Sequence, residues 1–243
     1  MINFRRLARA GVLVLAASGC AYSTNVLADD HRDSAWFDDD ARPYGVAFPE
    51  WTARLWQHVL SLPSGDNPLL DNGVNKCAIG QSGPVWFLAG NLGGVSQRAC
   101  DVPADKALLF PVFDAFGFDT PGVCGQGAAE SVRFYREGLA AFVDGVSTLD
   151  VELDGRAVPK LFERRYRSTV FSASLPADNF FNDFCADLGG VPRGIYSPAV
   201  DDGYYLMLKP LSVGRHNLRI RAGAPGFELD VTYKLNIVPV VTR

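Results

Sequence analysis

The amino-acid sequence predicts an α+β protein, with a mixed N-terminal half carrying two amphipathic helices and a C-terminal half forming an antiparallel β-sandwich. Three observations support this fold class. Apolar residues recur at helical spacing in two early segments, the period changes to alternation after Val146, and the final hairpin alternates from residue 215 to residue 238. The chain has 243 residues and 48% hydrophobic content, enough for one sizeable core or two smaller ones.

Residues 1–19 have the composition of an export signal. Three arginines precede an apolar run of about ten residues, which is too short to span a bilayer. Two forms of processing stay open. Small residues lead into Cys20 as in the lipobox of bacterial lipoproteins, which favours acylation of Cys20, and the alternative is ordinary cleavage after Ala28. The mature chain is expected outside the cytoplasm, as an outer-membrane lipoprotein or as a periplasmic or extracellular protein.

Loss of the signal makes the chain more acidic. Lys plus Arg falls from 23 to 20 against 27 Asp plus Glu, so nucleic acid is excluded as a partner, and a membrane is contacted only through a lipid on Cys20. Residues 20–47 are polar and acidic without a sustained period, which predicts a flexible tether.

Residues 48–146 are predicted to form the mixed half. The first helix begins near Pro49 and ends at Pro63, and the second covers AAESVRFYREGLAAFVDG with Gly145 as its stop. The apolar faces of these helices consist of Trp51, Leu55, Val59 and Leu62, and of Val132, Tyr135, Leu139, Phe142 and Val146. Between them, PVWFLAG and KALLFPVF have the pattern of buried strands.

Residues 147–243 are predicted to form the sandwich half, and one continuous domain with residues 48–146 stays open as an alternative. In the final hairpin, a turn at GAPG would place Arg221 opposite Glu228 and Arg219 opposite Asp230. The arginines would then be neutralised by their neighbours, which argues against a site for an acidic polymer.

Four cysteines follow Cys20, and an even number in an exported chain predicts disulfides. Three pairings are possible, and the simplest joins Cys77 to Cys100 and Cys124 to Cys185. Each bond would contribute about 3–4 kcal/mol in the chain-entropy account. No two cysteines have metal-finger or C-x-x-C spacing, and GVCGQGAAE is an incomplete phosphate-binding fingerprint, so neither a metal nor a cofactor is predicted.

Four segments, NPLLDNGVNKCAIGQSGPVWFLAG, RACDVPADKALLFPV, DDGYYLMLKPLSVGRHNLRI and DVTYKLNIV, resemble a family of exported bacterial proteins of unassigned activity. The resemblance covers most of the chain after residue 50. It implies secretion and a shared fold, and it supplies no catalytic residues.

Ser82 in GQSGPV is one candidate nucleophile, with His216 as its base. The elbow motif G-x-S-x-G fails because Pro84 occupies its last position. His216 alternates with apolar residues along a predicted strand, which indicates a sheet residue opposite Tyr233. The favoured interpretation of Ser82 is therefore a turn residue that leads into a core strand.

Asp114 and Asp119 follow a predicted buried strand, where paired carboxylates could bind calcium or hydrolyse a glycoside. Aspartates in glycine-rich turns mostly serve turn geometry, so a purely structural role competes with this interpretation. Asp201 and Asp202 are predicted to be solvated charges.

Two functions follow from these patterns. The first is an envelope or secreted protein with a non-catalytic binding or structural role, whose partner is a glycan, a polymer or an envelope protein. The alternative is an extracellular hydrolase that uses Asp114 with Asp119, or Ser82 with His216. Convergence of Asp114 and Asp119 with a third polar group in an open cleft would favour the enzyme.

Overall fold

The structure is a computed structural model that describes residues 34–70 and 76–240. The predicted export signal 1–19, Cys20 and the cleavage site after Ala28 lie outside the described residues. The described chain is mostly β with some helix, and contains three α-helices and ten strands in two sheets. None of the described helices has the length and apolar character needed to cross a membrane.

The helices and strands alternate irregularly along the chain. The helices are α1 Phe48–Leu60, α2 Val132–Val143 and α3 Phe181–Phe184. The strands are β1 Val85–Phe87, β2 Gly94–Pro103, β3 Ala107–Phe118, β4 Thr148–Leu153, β5 Arg156–Ala157, β6 Arg165–Arg167, β7 Phe171–Leu175, β8 Gly194–Leu208, β9 Gly214–Ala224 and β10 Phe227–Val238. Sheet A has the order β1-β3-β8-β6, with β7 also paired to β8, and sheet B has the order β2-β10-β9-β4-β5.

Both long helices lie where the helical spacing predicts them. In α1, Pro49 is in the first turn and the predicted apolar face is buried. In α2, the side chain of Ser131 accepts a hydrogen bond from the amide of Phe134 and caps the N-terminus. Only Val143 of α2 is fully buried, and Phe142 of the predicted face is 42% exposed. Helix α2 therefore buries little of its surface against the sheet.

The two sheets draw strands from both halves of the chain. β2 lies parallel to β10, and β3 lies antiparallel to β8. An antiparallel sandwich built from residues 147–243 alone is therefore wrong, although the strands of that range do pair antiparallel with one another. The physical reason is that alternation identifies the buried face of a strand but not the neighbouring strand.

Sheet A is buried on both faces, because successive side chains of β3 and β8 enter two different hydrophobic clusters. The inter-sheet cluster contains residues of both sheets, among them Leu108, Phe110, Leu206, Leu218 and Val231. The helix-side cluster joins sheet A to α1, and includes Trp51, Leu55, Leu109, Tyr205 and Met207.

The final hairpin has a different register from the predicted one. Ala224 lies opposite Phe227, so that Asp230 lies opposite Arg221 and Thr232 opposite Arg219. The loop has two residues, Pro225 and Gly226, instead of the four of GAPG, and Gly226 adopts a φ of 78° that a side chain would disfavour.

Arg219 and Arg221 of β9 are nevertheless paired with carboxylates. Arg219 still reaches Asp230 diagonally, with Nη2 at 2.6 Å from a carboxylate oxygen. Arg221 instead pairs with Asp150 and Glu152 on β4. These pairings agree with the expectation that Arg219 and Arg221 do not form a site for an acidic polymer.

The predicted tether 20–47 is too long at its C-terminal end. The amide of Phe37 donates to the carbonyl of Met207 at 2.9 Å, and Trp36 packs against the inter-sheet cluster. These two aromatic residues give an otherwise acidic segment enough apolar surface to bind the fold. Residues 20–33 lie outside the described part of the chain.

The structure confirms both predicted disulfides. Cys77 is bonded to Cys100 and Cys124 to Cys185, with Cα–Cα distances of 5.9 Å and 5.4 Å. The first bond closes a loop that contains β1, and the second joins the segment before α2 to the segment after α3. Two disulfides suggest a location outside the cytoplasm.

Candidate functional site

A β-bulge in β3 determines the direction of Asp114. The register of β3 against β8 shifts between Pro111 and Phe113, and Val112 and Phe113 both enter the inter-sheet cluster. The next side chain, Asp114, therefore points to the opposite face of sheet A, toward α1. Bulges occur often next to functional sites, where they redirect a side chain.

Gly203 on β8 makes room for Asp114. It lies directly opposite Asp114, and a Cβ at Gly203 would overlap the Asp114 side chain and lie 2.7 Å from the carbonyl oxygen of Phe113. Asp201 and Tyr205, two residues away on either side, share the face of Gly203. The glycine thus lets one carboxyl from β3 enter between two polar side chains of β8.

The resulting cluster of five polar side chains, the dyad cluster, consists of Asp114, Asp201, Tyr205, Trp56 and Thr52. The Tyr205 hydroxyl lies 2.8 Å from Oδ2 of Asp114 and is also hydrogen-bonded to Oδ2 of Asp201. Trp56 on α1 donates from Nε1 to Oδ2 of Asp114 at 2.9 Å. Thr52, one helical turn earlier, donates from Oγ1 to Oδ1 of Asp201 at 2.9 Å. Helix α1 therefore supplies a donor to each carboxyl.

The hydrogen bonds of the dyad cluster favour the uptake of one proton by its two carboxyls. The Tyr205 hydroxyl has a single proton and can donate to only one of the two carboxyl oxygens that it contacts. The other contact is satisfied when that carboxyl is protonated and donates to the hydroxyl oxygen. Burial raises the pKa of Asp114 to about 6, and burial together with the charge of Asp114 raises the pKa of Asp201 to about 7. Both pKa values are raised, so the two carboxyls and the Tyr205 hydroxyl are best described as one coupled group that takes up a proton.

Asp114 opens into a cavity of about 330 Å³ between α1 and β3. The described lining residues are mainly apolar and aromatic: Leu55, Trp56, Val59, Leu69, Ala89, Gly90, Asn91, Leu92, Pro111, Asp114, Ala115, Phe116, Phe142, Phe184 and Phe227. Among them, Asp114 is the one side chain that titrates below pH 9. Leu92, Phe142 and Phe184 are 47%, 42% and 63% exposed, and form an apolar rim.

Asp119 belongs to a different hydrogen-bond network from Asp114. Its Oδ1 accepts from the amide of Glu130 at 2.9 Å, from the Tyr135 hydroxyl at 3.2 Å and from the side-chain amide of Gln126. Burial by itself raises the pKa of Asp119. The three hydrogen bonds together lower the pKa by more than burial raises it, so the net shift is downward. Asp119 organises the loop that leads into α2. The structure does not bring the predicted pair together as one site.

Ser82 lies exposed in a turn, and no hydrogen bond to it is present among the described residues. Its neighbour Gln81 holds this turn: the Gln81 side chain donates to the carbonyls of Cys77 and Phe87 and accepts from the Phe87 amide. The turn interpretation of Ser82 therefore fits the structure.

The ring of His216 contacts Asp154 and Ser212 and is not hydrogen-bonded to Ser82 among the described residues. Its Nδ1 lies 2.7 Å from Oδ2 of Asp154, and its Nε2 lies 2.9 Å from the carbonyl oxygen of Ser212. Burial by itself lowers the pKa of His216. The hydrogen bonds to Asp154 and Ser212 raise the pKa by more than burial lowers it, so the net shift is upward. Because both ring nitrogens face acceptors, the protonated imidazolium is favoured, and these contacts orient the ring toward Asp154 and Ser212. It lies opposite Leu235, two residues from the predicted partner Tyr233.

Asp201 and Asp202 are not solvated, contrary to the prediction. Their exposed fractions are 0% and 1%. Asp202 points to the opposite face from Asp201 and accepts hydrogen bonds from Arg165 at 2.7 and 3.0 Å and from Arg167 at 3.1 Å. Strand β8 buries both aspartates because it lies inside sheet A, with β3 on one side and β6 and β7 on the other.

Sequence reasoning missed most of the dyad cluster. One signal was available: Asp201, Gly203 and Tyr205 alternate within DDGYYLML, so two polar side chains share one face of an apolar strand. Trp56 and Thr52 carry no comparable signal, since both fit an ordinary helix.

The described residues contain no group of three or more His, Cys, Asp or Glu side chains that could hold a metal ion. Comparison of the chain with protein-family models, with curated proteins and with solved structures gives no match.

Proposed function

We propose that this chain is an exported binding protein whose ligand occupies the cavity between α1 and β3. One observation carries the proposal: the half-buried Asp114 lies in the wall of an apolar cavity, where its carboxyl is hydrogen-bonded to Tyr205 and Trp56. Small-molecule sites are typically concave and apolar with a few well-placed polar groups.

Export is supported by the composition of residues 1–19 and by the two disulfides. The lipobox-like residues before Cys20 favour an acyl anchor, and the resemblance to exported bacterial proteins agrees with an envelope or secreted location. Cleavage after Ala28 would give the same binding protein without the anchor.

The scaffold suits a preformed site. The two sheets are best interpreted as a β-sandwich, with α1 covering the outer face of sheet A, so Trp56 and Asp114 enter the cavity wall from a helix and from a strand of the sheet core. Groups on regular elements are positioned more accurately than groups on loops. The apolar lining favours a small, largely apolar ligand over the glycan or polymer that the sequence left open.

Acid–base catalysis by the dyad cluster is the second candidate function. Two carboxyls with raised pKa values, joined through Tyr205, resemble pairs that divide acid and base roles. Asp201 is fully buried, however, so Asp114 alone can reach a substrate. This geometry favours binding over hydrolysis by two carboxyls.

Filling the cavity tests the proposal. Gly90 lines it, and a Cβ there would meet Pro111 at an ordinary 3.5 Å, so Gly90→Leu should fold and occupy the space. Gly138→Leu on α2 is the matched control, because a Cβ at Gly138 meets nothing within 4 Å. We expect the neutral dye Nile red to bind the wild type and the control, and to lose at least tenfold in affinity for Gly90→Leu. Equal binding by all three proteins would place the site elsewhere.

A further inference from the structure

We infer that the cavity selects hydrophobic cations: an ammonium group donates hydrogen bonds to Asp114, and the apolar body of the ligand lies against the aromatic walls. This inference rests on the proposed function, and it adds the charge of the ligand to it.

The carboxyl of Asp114 has hydrogen-bonding capacity left over. Its Oδ2 already accepts from Trp56 and contacts the hydroxyl of Tyr205. Among the described residues no donor is hydrogen-bonded to Oδ1, although the carboxyl lies in the cavity wall. An ionised carboxylate only accepts hydrogen bonds, so the group that completes Asp114 must be a donor.

The charge of the cavity also favours a cation. Asp114 is the one acidic or basic side chain among the described lining residues. A carboxylate in an apolar wall is poorly solvated and gains most from a ligand of opposite charge. A lone alcohol could satisfy the hydrogen bond, but only a cation also balances the charge.

The aromatic side chains in the cavity wall also favour a hydrophobic cation. The ring centroids of Trp56 and Phe116 are 3.8 Å apart beside Asp114, and Phe142 and Phe227 contribute further ring surface to the cavity. Aromatic rings attract cations through their negative faces. After residue 19 the chain has 20 Lys plus Arg against 27 Asp plus Glu, and this acidic balance adds a weak long-range attraction for a cation.

One feature of the wall opposes the inference. Arg98 donates from Nη1 to the carbonyls of Ala89 and Gly90, which line the cavity, and so places a buried positive charge behind it. If the positive charge of Arg98 outweighed the negative charge of Asp114, the cavity would prefer an anion. Arg98 is not among the described lining residues, whereas Asp114 lies in the wall itself, which favours the cation.

Three ligands with the same alkyl chain separate these possibilities. Octylammonium, 1-octanol and octanoate are titrated into the mature chain at pH 8 and at concentrations below micelle formation. We expect octylammonium to bind at least tenfold tighter than octanol, and octanoate to bind most weakly. Asp114→Asn should remove the preference for octylammonium while octanol still binds. Asp105→Asn, which removes an exposed carboxylate paired with Lys106, should behave as the wild type.

The outcomes distinguish the two proposals. Equal binding of octylammonium and octanol, or a preference for octanoate, would overturn the cation and leave the cavity as a binding site. Failure of all three ligands to bind would overturn both proposals. The wild-type comparison decides these outcomes even if Asp114→Asn does not fold.

Discussion

The hydroxyl of Tyr205 lies 2.8 Å from Oδ2 of Asp114, on the face of sheet A that packs against α1. The two groups come from neighbouring strands, and their contact depends on the bulge in β3 and on the missing side chain at Gly203. The same hydroxyl reaches Asp201, so one phenol joins two carboxyls. The predictions below test this arrangement and the loop that contains Ser82.

Tyr205→Phe should destabilise the protein by about 1–3 kcal/mol, because it leaves buried polar groups without their shared partner. Tyr196→Phe is the control, since its hydroxyl donates to the carbonyl of Pro192 at an exposed site and its loss should cost under about 1 kcal/mol. Urea unfolding measures both. Equal effects of the two substitutions would mean that Tyr205 does not join the carboxyls.

Gly203→Ala should destabilise the protein by at least about 1–3 kcal/mol, because the added methyl group overlaps Asp114. Gly127→Ala is the control, as a Cβ there meets nothing within 4 Å. Adding Asp114→Gly to Gly203→Ala should recover part of the loss, which a double-mutant cycle would detect as coupling. Additive effects would contradict the close approach of the two residues.

The dyad cluster should make the stability of the protein depend on pH. The folded-state pKa values of Asp114 and Asp201 are raised from 3.8 to about 6 and about 7. The folded state therefore binds more protons than the unfolded state between about pH 4 and pH 7, and the free energy of unfolding should fall as pH rises through this range.

Asp201→Asn isolates this effect. The pKa of His58 is lowered by burial and that of His216 is raised, and both contribute equally to wild type and variant. We therefore expect the fall in unfolding free energy between pH 4.5 and pH 7.5 to be smaller in Asp201→Asn. Urea unfolding at both pH values gives the difference. An unchanged pH dependence would show that Asp201 takes no part in the proton uptake.

Adjacent residues in the turn before β1 should differ sharply in their effect on stability. Ser82→Ala should change the free energy of unfolding by less than about 0.5 kcal/mol, because Ser82 is an exposed turn residue. Gln81→Ala should cost about 1–3 kcal/mol, because it breaks three hydrogen bonds to Cys77 and Phe87. Thermal unfolding of the two variants provides the comparison. A stable Ser82→Ala protein that lost a measured hydrolytic activity would restore Ser82 as a nucleophile.

The sequence by itself determined the local elements. The spacing of Trp51, Leu55 and Val59 predicts α1, and the alternation after Phe227 predicts β10, since both periods arise within one segment. The pairing of the four cysteines could also be predicted, because the sequential connection is the simplest of three.

The tertiary structure alone decided the candidate site. The sequence identified Asp114 as a candidate. Its predicted partner, Asp119, instead forms hydrogen bonds within the loop before α2. Its partner in the structure, Asp201, was predicted to be a solvated charge. Whether an aspartate is buried depends on the strands and helix packed around it, and in α1 the partner of Asp114 is 58 residues away in the chain and the partner of Asp201 is 149 residues away. A single bulge also reverses the face of Asp114, and alternation in the sequence does not reveal a bulge.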